Sequence, residues 1–138
     1  MALAMVVTLE KDLPDATAAY AKAAAGKALG RESDRLDFAA KRCKVTAITG
    51  MLSESPAALA EQMRAEGFDP SKMRLPPEQW FPAADGLKTV RGLIAHVTAN
   101  LNDFKFPNPI LRDLRDAEAL LSAAETAGLR FHFTKIDL

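Results

Sequence analysis

No charge of one sign dominates this chain. Eighteen Lys and Arg stand against eighteen Asp and Glu, so no net field draws it to DNA, RNA or an anionic membrane. Cysteine occurs once, at Cys43. No disulfide can form within the chain, and a reducing, cytoplasmic setting is expected. There are only two histidines, His96 and His132. No Cys-x-x-Cys, His-x-x-x-His or His-Glu-x-x-His spacing exists, so nothing points to a metal site or to any cofactor. A Gly-x-Ser-x-Gly elbow is also missing. Gly26-Lys27-Ala28-Leu29-Gly30 lacks both the Gly-Lys-Ser/Thr ending and the preceding strand of a phosphate loop. The apolar start, Met1 to Val7, has no basic flank and is too short to span a bilayer. Low-complexity tracts and internal repeats are absent.

What is present fits one globular domain, residues 1–138. The chain is 49% apolar and 26% charged, and its length allows a substantial core without staples. Met5, Val7 and Leu9 alternate with more polar residues and predict a strand over 5–10. An Ala-rich stretch, 16–25, reads as a short helix interrupted by Gly26. From Lys27 to Cys43, Leu29, Leu36, Ala40 and Cys43 fall on one helical stripe. The seven cations of residues 22–44 face Glu32, Asp34 and Asp37, which reads as a solvated helix face. Only Phe38 interrupts them as an aromatic. Residues 45–52 mix β-branched side chains with Gly50 and read as a turn.

Ser55-Pro56 predicts a capped helix start, and Gly67 its left-handed end. Residues 68–84 have no helical or strand period, yet carry Phe68, Met73, Leu75, Trp80 and Phe81. They are read as a loop packed around the core, because a solvated connection of that length is unusual. Asp85 is expected to cap a helix over 86–101, and Asn108-Pro109 to open a last helix ending at Gly128. Leu129 to Ile136 alternates with period two. The two terminal strands each carry apolar odd-numbered residues, so they are expected to pair antiparallel, with the even-numbered face towards water. The expected fold is α+β and mainly helical, with about five helices and a small sheet joining the two terminal strands.

Chemistry-bearing residues are few. His132 shares its strand face with Arg130 and Thr134, and Glu10 lies on the matching face of the first strand. A histidine beside a carboxylate and an arginine suits anion binding or acid–base work, although an exposed strand residue reads the same way. His96 lies off the apolar arc of its helix, beside Gly92. Trp80 and Phe81 offer a recognition surface if exposed and a core cover if not, and Asp85 lies close in sequence. The candidate site residues are therefore Trp80, Phe81, Asp85, His96, Arg130 and His132, as a binding set without a catalytic group.

Three segments together resemble a set of small uncharacterised bacterial proteins: Thr8-Leu9-Glu10-Lys11-Asp12-Leu13-Pro14, Glu78-Gln79-Trp80-Phe81-Pro82 with Asp85 to Arg91, and Gly128-Leu129-Arg130-Phe131-His132. The resemblance implies a single domain and a bacterial cytoplasmic source, and brings no activity. The expected function is a non-enzymatic module that binds another protein, of adaptor or immunity type, through an exposed sheet edge at Thr134. The alternative is a small-molecule binder or enzyme built around Trp80, Asp85, His96 and His132. Neither nucleic acid nor membrane is expected as a partner, and a homo-oligomer is left open.

Overall fold

The structure is a computed structural model that describes residues 3–23 and 25–137. It is α+β and mainly helical, with the two terminal strands paired as expected. Strand β1 (Leu3–Leu9) runs antiparallel to β3 (Arg130–Asp137), with Val7 opposite Phe133 and Thr8 opposite His132. Odd residues thus meet odd residues, and Met5, Val7, Phe131 and Phe133 turn to one buried face. The Phe131 and Phe133 rings meet edge to face at 5.5 Å between centroids. Burying a side chain of that size contributes about 1.5–3 kcal/mol.

Among the described residues there are six α-helices. They are α1 (Pro14–Ala23), α2 (Lys27–Arg31), α3 (Ser33–Cys43), α4 (Pro56–Ala65), α5 (Ala83–Ala99) and α6 (Pro107–Ala127). The long pair α5 and α6 covers the inner sheet face. Leu87, Val90, Leu93 and Val97 of α5 and Leu114, Ala117 and Leu121 of α6 are all buried. Gly86 lets α5 settle on the sheet: a Cβ there would stand 2.4 Å from Phe131 Cζ.

The single helix expected over 27–43 is two. Glu32 breaks it, at φ −105° and ψ 21°, because the halves serve different neighbours. Helix α2 lies against the edge of β1, where a Cβ on Gly30 would come within 2.1 Å of the Leu3 carbonyl oxygen. Helix α3 packs on α5 instead. Asp113 of α6, buried, accepts the Ala28 N–H at 2.9 Å and so caps α2 from a distance.

Two boundaries also move. Helix α5 starts at Ala83, so Asp85 sits exposed in its first turn rather than at the cap; Pro82, with φ −60°, leads straight into the helix. Helix α6 starts at Pro107, whose missing N–H costs nothing in a first turn.

The sheet has a third strand, inside the segment 68–84 expected to be a loop. Phe81–Pro82 (β2) pairs with Phe131 and Arg130, giving the order β1-β3-β2. Leu52 bridges to Phe133, and the Ser53 N–H donates to the Phe133 carbonyl at 3.0 Å. Strand β3 is therefore central from Arg130 to Phe133, and beyond Phe133 its described strand partner is β1, with Thr134 opposite Val6. The outer edge of β1 is occupied too. Its Met5 N–H donates to the Gly26 carbonyl and its Val7 N–H to the Tyr20 hydroxyl, both at 3.0 Å. The expectation of strand addition at Thr134 is thus narrowed to the stretch of β3 beyond Phe133.

Residues 53–79 leave the body and return to it. The Gln79 N–H donates to Ser53 Oγ at 2.7 Å and closes the neck. Within this excursion α4 carries no buried residue, and Phe68 and Met73 are exposed. The first half of the expected wrapping loop therefore does not pack on the core.

Candidate functional site

The outer, even-numbered face of the sheet holds the first cluster. It does not face water as expected. His132 is 1% exposed, because the segment before β2 folds across it. Glu78 Oε2 lies 2.6 Å from His132 Nε2, and the Trp80 ring centroid 4.7 Å from that of His132. On the other side of the ring Nδ1 lies 3.0 Å from the Phe133 carbonyl oxygen and 3.3 Å from Thr134 Oγ1. Thr134 in turn meets Thr8 across the strands at 2.7 Å.

Thr134, His132 and Glu78 follow the order of a hydroxyl–imidazole–carboxylate relay. The burial of the ring and its closer contacts give it a structural place. Both ring nitrogens face oxygen acceptors: the Glu78 carboxylate at one end and the Phe133 carbonyl, nearer than the threonine, at the other. These partners fix the ring as the fastener of the segment that carries Trp80.

At the rim of this face Arg130 meets Glu10. The Arg130 N–H donates to Glu10 Oε1 at 2.8 Å, and the guanidinium reaches Oε2 at 3.1 Å. The backbone N–H first, and then the guanidinium, hold the Glu10 carboxyl below the ordinary carboxylate range. Phe81 is half-buried and packs at 6.4 Å on Phe131. Trp80, Phe81, Arg130 and His132 thus do converge on β3 and its neighbours. Asp85 and His96 do not join them. They are eleven residues apart on α5, about 16 Å along the axis, and α5 lies on the opposite sheet face.

His96 belongs to a second place, where helices α3 and α5 run side by side. Cys43 Sγ approaches the Gly92 carbonyl at 3.6 Å, and Arg35 Nη1 donates to the Asp103 carbonyl at 2.7 Å. As α3 numbers fall the facing numbers rise, so the two are antiparallel. Gly92 keeps the helices close: a Cβ there would stand 3.2 Å from Val45 Cγ1. Next to this contact opens a groove of about 620 Å³, lined by Asp34, Arg35, Phe38, Arg42, His96 and Asp103, with Ala39 and Phe104 beneath.

Phe38 is 61% exposed, and the Arg42 guanidinium lies 5.0 Å from its ring centroid. Two residues on from the groove-lining Phe104, Phe106 is 52% exposed, under Arg31 at 5.7 Å. Glu32 bridges the two halves, 3.7 Å from both Arg31 and Arg35. Sequence reasoning named His96 but missed Phe38, Arg42 and Phe106 as a group. The signal was Phe38 inside the cationic run, while Phe106 reaches that run only through folding. Glu78 was missed for the same reason, lying in a segment without periodicity.

Among the described residues no three His, Cys, Asp or Glu side chains gather as a metal site, and no helix is long and apolar enough to cross a membrane. Comparison of the chain with protein-family models, with curated proteins and with solved structures gave no match.

Proposed function

We propose that the protein is a non-enzymatic module that binds another protein, of adaptor or immunity type in a bacterial cytoplasm, and that its working surface is the groove between α3 and α5. One observation carries this reading: Phe38, largely exposed under the Arg42 guanidinium, lines a groove large enough to seat a side-chain cluster, and Phe106, exposed under Arg31, follows two residues after the groove-lining Phe104. Arginine and aromatic side chains dominate the energetic centres of protein interfaces. A fold gains little from holding such rings in water.

The rival reading places a small-molecule or catalytic site around Trp80, Asp85, His96 and His132. The short Glu78–His132 contact is the observation in its favour. Against it, Asp85 and His96 lie away from the Trp80–His132 contact, and the dyad is covered by the segment it fastens.

The test is photo-cross-linking in the native cells. A benzophenone-bearing phenylalanine replaces Phe38, Phe106 or, as a control of similar exposure, Phe68. One protein captured from positions 38 and 106 but not 68, and binding again when purified, is the expected result. Equal capture from all three positions would refute the assignment of the groove.

A further inference from the structure

Resting on that reading, we infer that the groove is electrically bipolar and takes a helical segment of the partner, with a carboxylate at one end, a cation at the other and aliphatic side chains between. The charges are sorted by the antiparallel packing. Arg42 sits one residue from Cys43, at the level of Gly92. Among the described residues it has no carboxylate within ion-pair reach, and only the Phe38 ring lies under it. Asp34 and Asp103 lie at the far end. There the one cation that lines the groove, Arg35, is already turned to Glu32 at 3.7 Å and to the Asp103 carbonyl, while Arg31 and Lys105 lie over the Phe106 ring. Neither of these two carboxylates has an ion-pair partner among the described residues. Asp34 and Arg42 are eight residues apart, about 12 Å along α3. Phe38, Ala39, Phe104 and the partnerless His96 ring occupy the interval.

The walls decide the backbone of the guest. One wall is helix α3 and the other is His96 of α5 with Asp103 and Phe104 beyond it, and no described strand lines the groove to offer an edge to an extended guest. A guest must bring its own backbone hydrogen bonds, which a helix does. On a helix, residues i and i+7 share a face and stand about 10.5 Å apart. Glu at i, Leu at i+3 and i+4, and Lys at i+7 would set a carboxylate against Arg42 and an ammonium against Asp34 and Asp103.

Four stapled helical peptides with that leucine pair test this, carrying Glu/Lys, Gln/Gln, Glu/Glu or Lys/Lys at the two ends, read by fluorescence anisotropy on the whole chain. The Glu/Lys peptide should bind tightest, by about threefold to fivefold over Gln/Gln for each charge pair formed. Arg42→Glu should turn the preference to Lys/Lys. Arg42 is exposed, so an unchanged melting curve serves as the folding control. Equal affinity for all four peptides, no binding by any of them, or a ranking that ignores Arg42→Glu overturns the proposal. Tighter binding of a DNA duplex than of the Glu/Lys peptide overturns it too, as does self-association abolished by Phe38→Asp. If charge has no effect while Phe38 still cross-links one protein, the bipolar groove falls and the binding module stands.

Discussion

The two histidines occupy matching positions on paper and opposite ones in the fold. Each lies on the polar side of its element, His132 on an alternating strand and His96 off the apolar arc of a helix. His132 is sealed, with oxygen atoms at both ring nitrogens and an indole beside it. His96 is half-buried in an open groove, and its ring has no hydrogen-bond partner among the described residues. The difference comes from a third party. Residues far along the chain, Glu78 and Trp80, close over one and nothing closes over the other. A polar side chain is thus spent on holding the fold in the first case and left to a partner in the second.

The contrast is broken most directly at His132. His132→Ala should destabilise the protein by about 3 kcal/mol, because it opens a void and strands the Glu78 carboxylate under its own segment. Glu78→Gln keeps the shape and should cost about 1–2 kcal/mol. Urea unfolding followed by the fluorescence of Trp80 measures both. A loss below 0.5 kcal/mol for His132→Ala, on the order of a surface change, would mean that the ring fastens nothing.

The same sealing at the sheet edge is tested with Tyr20. Burial pushes its hydroxyl up to about 12 from an ordinary 10.0. The folded chain holds that proton where the unfolded chain has lost it. Its contribution is therefore complete below pH 10 and disappears between 10 and 12, a loss of about 2 kcal/mol at the alkaline end. Tyr20→Phe should remove this alkaline branch and, by leaving the Val7 N–H without its acceptor, cost about 1–3 kcal/mol at neutral pH. Melting temperatures at pH 7 and pH 11 separate the two effects.

A smaller effect of opposite sign belongs to the rim. The Glu10 carboxyl titrates lower in the folded chain than its ordinary 4.5. Its stabilisation is present above that value and fades as pH falls through the folded one. Glu10→Gln should flatten the acid limb of the melting curve slightly, as expected of an exposed pair. A variant that melts as the parent does at every pH between 2 and 7 would show the Arg130 contact to be idle.

Period and parity made the outline legible in advance. Odd-numbered apolar residues at both termini implied the β1–β3 pairing and even its parity, and the stripe from Leu87 to Val97 implied α5. Cover was not legible. Nothing in Glu78-Gln79-Trp80-Phe81 has a period, so neither β2 nor the burial of His132 could be read from it. The break at Glu32 was hidden for another reason. Helical spacing persists across it, and only the approach of Gly30 to the Leu3 carbonyl separates the halves. On the groove, charge patterning read the Lys and Arg of α3 as a solvated face, which they are. What it could not convey was that Phe104 would be folded up beside Phe38 in one groove.

The smallest predicted effects lie in that groove, and their smallness sharpens the comparison. Phe38→Ala and His96→Ala should each change stability by no more than about 0.5 kcal/mol. Phe38 is 61% exposed and gives up little buried area on truncation. Its contact with Arg42 is worth about 0.5–1 kcal/mol at such a site, and part of that returns when the freed guanidinium is hydrated. His96 has no hydrogen bond to lose. Side chains that stabilise the chain so little while presenting an aromatic face and a cation to water are the ones expected to show a large effect only when a partner is bound. Paired melts of His132→Ala and His96→Ala read the contrast in one experiment. If Phe38→Ala or His96→Ala instead lowers stability by more than about 1.5 kcal/mol, well beyond the range of ordinary surface changes, the groove is a fold contact like the one at His132. The distinction between a sealed and an open site would then disappear.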